Sequence, residues 1–132
     1  MILDTHTLLW MDRDDPSLGP EARHRIKLAW QASQVAVSAI SFWEVAMLAE
    51  RKRIALPMPI AHWREDWLQA GLTEIPLDGR IALLACQLDN LHRDPADRFI
   101  VATAITGGTT LMTADAGILG WTGDLARSDA RL

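Results

Sequence analysis

The side chains best suited to chemistry are acids spread along the chain. Asp4 follows the apolar run MIL. Glu44 closes the tetrapeptide SFWE. Asp94 and Asp97 lie on either side of Pro95-Ala96 in HRDPADRFIVATA (92–104). Asp115 follows TTLMTA. Gathered together, carboxylates repel and raise one another's pKa, and a hard divalent cation removes that cost. A ligand set made only of oxygen favours Mg²⁺ or Mn²⁺ over zinc. The four histidines show no zinc-ligand spacing. His6 is the one very near a candidate acid and reads as a first-turn helical residue; His92 reads as part of the loop before a helix. A carboxylate-held Mg²⁺ with water around it suits phosphoryl transfer, because the ion acidifies a bound water and neutralises phosphate charge. A second ion would sit about 3.5–4 Å from the first and clamp the attacking and leaving oxygens.

Whether these acids meet depends on the elements that carry them. MIL is a short apolar strand, with a helix beginning near Asp4–Thr7. DRDDPSLGP is a turn, and Pro20 suits the first turn of a helix through Trp30. VAVS (35–38) is a β-branched run. SFWEVAMLAERKR has helical periodicity, PMP breaks it, and a tryptophan-rich helix (His62–Ala70) follows. LTEIPL is a weak strand signal and GRIALLACQL another helix. DPADRFIVATAI has strand-like composition but helical caps. TTLMT is a strand, DAGILGW a short helical turn, and DLARSD a last edge strand.

Strands alternating with helices imply a parallel sheet covered on both faces, with right-handed crossovers. Asp4 then ends the first strand and Asp115 follows the fourth, at the carboxyl edge where open α/β sheets bind ligands. Glu44 falls in the first turn of the helix after VAVS. Asp97 falls in the first turn of the helix before TTLMT, and a crossover helix runs antiparallel to its strands. All four acids are expected on one rim.

Each acid also has a local explanation. Ser41…Glu44 matches a capping box. Asp94 suits an N-cap, with Pro95 at the first helical position and Asp97 favoured by the helix dipole. Asp115 suits an N-cap or a turn. Asp4, directly after an apolar central strand, lacks an obvious partner and would be costly to bury. Capping accounts for each local position but leaves the shared rim unexplained.

The chain has 132 residues, 49% hydrophobic and 23% charged, which suits one globular domain spanning 1–132. No repeat or linker interrupts it. The single cysteine, Cys86, can form no internal disulfide and fits a reducing cytoplasm; within IALLACQL it reads as buried filler. No apolar stretch reaches the ~20 residues of a membrane span, and MILDTHTLLW carries an acid and lacks the basic start of a signal peptide. A formal net charge of −4 weighs against broad electrostatic attraction to nucleic acid, while leaving room for an enzyme that holds a phosphodiester through metal ions.

LDTHTLLW, SAISFWEVAMLAERKRIAL, HRDPADRFIVATA and LMTAD, in that order and spacing, resemble the motifs of PIN-domain ribonucleases, in particular the VapC-type toxins of bacterial toxin–antitoxin pairs. The likeness runs from the first residues to about residue 120. It implies a three-layer α/β/α sandwich around a parallel sheet of about five strands. It also implies Mg²⁺- or Mn²⁺-dependent cleavage of single-stranded RNA by an acid quartet falling on Asp4, Glu44, Asp97 and Asp115. Asp4 and Asp97 would be the most direct metal ligands, with Glu44 and Asp115 completing the pocket partly through waters. Asp94 would be an N-cap with an outer role, Thr113 would place a hydroxyl beside the acids, and Thr5 would bring a hydroxyl or amide. The resemblance further implies a homodimer and a small cognate antitoxin whose C-terminal segment covers the groove and brings a basic residue to the acids. Three positions depart from the pattern. Arg51-Lys52-Arg53 stands where Gly-Lys is frequent, Ala96 replaces an aromatic, and the stretch after Trp121 is short and charged, which weakens the signal for a fifth strand.

Six tryptophans in a chain without tyrosine raise the question of base stacking. Trp43, Trp63 and Trp67 have apolar neighbours, which favours core or partner packing; Trp63 and Trp67, one turn apart, suit a dimer mate or antitoxin. Arg93 and Arg98 flank the acids as solvated charge or phosphate contacts. The basic run Arg51–Arg53 complements a helix C-terminus or, less simply, contacts RNA. Two other functional classes remain. A phospho-acceptor receiver domain needs a lysine at the end of its last strand, yet the lysines are Lys27 and Lys52, both in the first half. A non-catalytic binding module on the same fold would have no need of a complete acid quartet.

Overall fold

The computed structural model describes residues 1–132. Five strands, β1 (Ile2–Leu3), β2 (Ala36–Ser38), β3 (Thr73–Ile75), β4 (Leu111–Thr113) and β5 (Arg127–Asp129), form one sheet in the order β3-β2-β1-β4-β5. Every pairing is parallel. The helices are α1 (Thr5–Arg13), α2 (Pro20–Gln31), α3 (Ala39–Glu50), α4 (Ile60–Ala70), α5 (Gly79–Cys86), α6 (Pro95–Gly107) and α7 (Ala116–Leu119). None of them is long and apolar enough to cross a membrane.

The two-residue period of a strand builds the three layers. Ile2 pairs with Leu111 and Leu3 with Met112. Leu3, Val37 and Met112 therefore share one face and pack with Leu8 of α1, Ile26 of α2, Val45 of α3 and Trp63 of α4. Ile2 and Leu111 share the other face, against Ile81 of α5, Ile100 of α6 and Ile118 of α7. The central strand β1 is fully buried, as a strand covered on both faces must be. The weakly signalled fifth strand forms. Its polar Arg-Ser-Asp sequence is tolerated because it lies at the sheet edge, extended by the Leu111 amide to the Ala126 carbonyl at 2.9 Å and the Ala130 amide to the Thr113 carbonyl at 2.9 Å.

Helix starts follow their caps. Pro20 is the first residue of α2, and Pro95 the first of α6. Asp94 accepts from the Ala96 amide at 3.1 Å. These caps overrule the strand-like composition of RFIVATAI. The capping box expected at Ser41…Glu44 does not form. Ser38, at the end of β2, accepts from the Ile40 amide, so α3 starts earlier and Glu44 falls in its second turn.

Several surface readings are corrected. Cys86 is exposed. Ile81 and Ala85 occupy the inward positions of α5, and the next residue is turned by one helical step toward solvent. Trp43 is 52% exposed while its neighbour Phe42 is buried, which rules out the core for Trp43 and leaves partner packing as its expected use. Trp63 is buried, so it offers nothing to a second chain; its Nε1 and that of Trp67 both donate to Asp12 Oδ1, at 3.2 and 3.1 Å. Arg98 is not solvated charge. It donates to the carbonyls of Ala85 (2.8 Å), Leu88 (3.0 Å), Leu91 (2.9 Å) and His92 (3.2 Å). One guanidinium thus satisfies the carbonyls at the end of α5 and fixes the loop leading to α6.

Candidate metal centre

Chain order turns from β1 to β2 on one side and reaches β4 on the other, which leaves a crevice at the carboxyl ends of β1 and β4. Asp4 sits there as the N-cap of α1. Its Oδ1 accepts from the Thr5 amide at 2.7 Å and its Oδ2 from the Thr113 hydroxyl at 2.6 Å. The residue is 4% exposed. Burial raises its pKa, and the two hydrogen bonds only partly offset this. The partner that could not be read for Asp4 is therefore a buried threonine from the neighbouring strand.

The same threonine hydroxyl accepts from the Asp115 amide at 3.0 Å, which ties β4 to the acid that follows it. Asp115 caps α7, with Oδ1 accepting from the Ile118 amide at 2.9 Å. Across the crevice, the Thr5 hydroxyl donates to Glu44 Oε1 at 2.5 Å and pairs with the Ser41 hydroxyl at 2.9 Å. Burial raises the pKa of Glu44 as well. Thr5 thus uses both its amide and its hydroxyl at the site.

Asp97 stands in the first turn of α6 with its side chain 13% exposed. Burial and then the charges of Asp4, Asp94, Asp115 and Glu44 push its pKa up to about 8. Without a cation this carboxyl holds a proton at neutral pH. Asp4, Glu44, Asp94, Asp97 and Asp115 all line one cavity of about 260 Å³, together with His6, Trp10 and Arg131. A larger cavity of about 450 Å³, bordered by Met11, Ile26, Trp30 and Trp67, has no carboxylate in its wall.

Two residues of this site escaped the sequence reading. His92 approaches the acids from the loop that Arg98 holds. Its Nε2 lies 3.3 Å from Asp97 Oδ2 and 3.3 Å from Asp115 Oδ1, yet it is buried and makes no hydrogen bond. His6 lies in the first turn of α1, as expected, and lines the same cavity. Gly117 gives the His92 ring its room: a Cβ there would fall 2.6 Å from His92 Cδ2 and 3.1 Å from Asp115 Oδ1. The HRDPAD spacing was the available signal for His92. Arg131 reaches the cavity wall from the turn after β5, and no motif marks it. Arg93 is exposed and takes no part in the wall.

The donor set fits a divalent cation. Ligand atoms of His92, Asp97 and Asp115 lie within 4.8 Å of one another, with the carboxylates of Asp4 and Glu44 in the same cavity. The orphaned buried ring nitrogen and the carboxyl with its raised pKa would both be relieved by a bound cation.

The PIN domain family matches residues 1–119. The chain is 35% identical over 116 residues, 87% of its length and 86% of the relative's, to Ribonuclease VapC22 of Mycobacterium tuberculosis. Its fold is similar to DNA-bound VapBC from Salmonella typhimurium (TM-score 0.73, 21% identity, 97% of this chain and 96% of that one). It is also similar to VapBC2 from Rickettsia felis bound to a promoter DNA fragment (TM-score 0.69, 16% identity, 97% and 96% covered).

Proposed function

This chain belongs to the PIN-domain family, and from that membership we propose that it is a VapC-type toxin, a cytoplasmic ribonuclease that cleaves single-stranded RNA with Mg²⁺ or Mn²⁺. The observation that carries the proposal is the convergence of Asp4, Glu44, Asp97 and Asp115, from four separate segments, on one cavity. The relative named a ribonuclease, similar over most of both chains, supports the same reading.

Asp4 and Asp97 would hold the ion most directly, with Asp115 and Glu44 completing the cage and His92 offering a ring nitrogen. An imidazole beside carboxylates suits Mn²⁺ better than Mg²⁺. The bound ion supplies charge neutralisation at the phosphate and a more acidic water. Thr113 and Thr5 keep Asp4 and Glu44 from turning away, and Asp94 holds the start of α6 that presents Asp97. The toxin role brings a small antitoxin partner and a homodimer; the related folds solved as VapBC assemblies support the antitoxin.

The test is cleavage of a fluorescent single-stranded RNA by the purified chain with Mg²⁺, Mn²⁺ or EDTA, beside Asp97→Asn. Cleavage that needs the ion and Asp97 is expected. RNA left intact under all metal conditions would remove the ribonuclease reading.

A further inference from the structure

We infer that Arg131 is the residue that grips an RNA phosphate at the mouth of the acidic cavity, an inference that rests on the ribonuclease reading. Five acids line that cavity, and Arg131 is the only lysine or arginine in its wall. A single divalent ion leaves a net negative site, which would repel a phosphodiester. An arginine fork offers charge and paired donors to phosphate oxygens.

The backbone around Arg131 is fixed to an unusual degree for a turn beyond an edge strand. Its amide donates to Asp129 Oδ1 at 2.9 Å. Ala130, fully buried, donates to the Thr113 carbonyl at 2.9 Å and accepts from the Gly19 amide at 2.9 Å; the Ala22 amide donates to the Leu132 carbonyl at 2.8 Å. Gly19 makes this docking possible, since a Cβ there would lie 2.3 Å from the Arg131 carbonyl oxygen. Thr113 is the hinge of the arrangement. Its hydroxyl holds Asp4 and its carbonyl holds the turn that carries Arg131, so the cation and the acids share one support.

The side chain itself is uncommitted. Arg131 is exposed, and its guanidinium makes neither a hydrogen bond nor an ion pair, although five carboxylates line the same cavity. By contrast, Arg98, Arg64 and Arg23 are all engaged within the chain. A fixed backbone bearing a free guanidinium beside a metal-binding cavity is the arrangement expected of a group kept for substrate.

The experiment compares the parent chain, Arg131→Ala and Arg131→Lys. Steady-state cleavage of a fluorescent single-stranded RNA is followed in Mn²⁺ over a KCl series, with the Mn²⁺-induced Tm shift measured alongside. Arg131→Ala should lower kcat/KM about tenfold to a hundredfold, as loss of one charged hydrogen-bonding partner does. It should also flatten the slope of log kcat/KM against log[KCl] by about 0.7, the contribution of one single-strand phosphate contact. Arg131→Lys should keep the slope and recover part of the rate, and the Mn²⁺ shift should survive in both. Parent-like kinetics in Arg131→Ala would overturn the inference. So would lost activity with an unchanged salt slope or an abolished Mn²⁺ shift, since either marks a role in cavity structure alone. If the parent chain itself fails to cleave RNA, the ribonuclease reading falls and takes this inference with it.

Discussion

The Thr113 hydroxyl donates to Asp4 Oδ2 at 2.6 Å, joining residues 109 apart in the chain. Both are buried, and the same hydroxyl accepts from the Asp115 amide. Thr113→Val keeps the volume and removes both bonds. It should cost about 1–3 kcal/mol, the usual penalty for leaving buried polar groups unpaired. It should also weaken Mn²⁺ binding, because Asp4 and Asp115 are no longer held together. Urea unfolding and calorimetric titration with Mn²⁺ measure the two effects. Parent-like affinity would show that the hydroxyl does not organise the acids.

Asp97 sets the pH dependence of the metal-free chain. Its folded pKa, about 8, lies above the ordinary value of 3.8, so the folded state binds the extra proton. The stability it contributes is fully present below pH 3.8 and is lost as pH rises through 8. Asp4 and Glu44, also raised, act in the same direction. The metal-free Tm should therefore fall between mildly acidic and mildly alkaline pH, and saturating Mn²⁺ should flatten the fall. Asp97→Asn should make the slope shallower, with Asp4 and Glu44 carrying the remainder. A metal-free Tm that climbs across this range would contradict the assignment.

The same proton gives a second prediction. Mn²⁺ binding at neutral pH must displace it, since the ligand form of a carboxyl is the ionised one. Titrations in buffers of different ionisation enthalpy should show release of close to one proton per ion at pH 7. Release should fall in Asp97→Asn, along with most of the affinity, leaving only what Asp4 and Glu44 give up. Proton-neutral binding by the parent chain would mean that the ion sits away from Asp97.

How much of this site was readable in advance varied with its physical origin. The shared rim followed from parallel topology, which puts strand ends and crossover helix starts on one edge, so Asp4, Asp97 and Asp115 were placed without coordinates. The turn of α3 bearing Glu44 was misread because two serines competed for its cap; Ser38 prevailed by standing at the strand end, where the backbone is already extended. The HRDPAD spacing pointed toward His92, but its place among the acids depends on the Arg98 clamp on four carbonyls, which no local pattern encodes. Arg131 depended on β5, whose polar residues carry no hydrophobic period.

Gly117 tests whether His92 belongs to the metal centre. Gly117→Ala places a methyl 2.6 Å from His92 Cδ2, inside any tolerable contact. The ring must then leave its place between Asp97 and Asp115, while alanine is otherwise welcome in a helix. If Nε2 is a ligand, or steadies the carboxylates around the ion, Mn²⁺ affinity should fall about tenfold to a hundredfold, the usual effect of disturbing a supporting group. His92→Ala, which leaves Asp115 undisturbed, should show a similar loss; a loss in Gly117→Ala alone would instead trace to the methyl 3.1 Å from Asp115 Oδ1. Parent-like affinity in both single variants would leave the ion to the carboxylates and reduce His92 to a bystander at the rim.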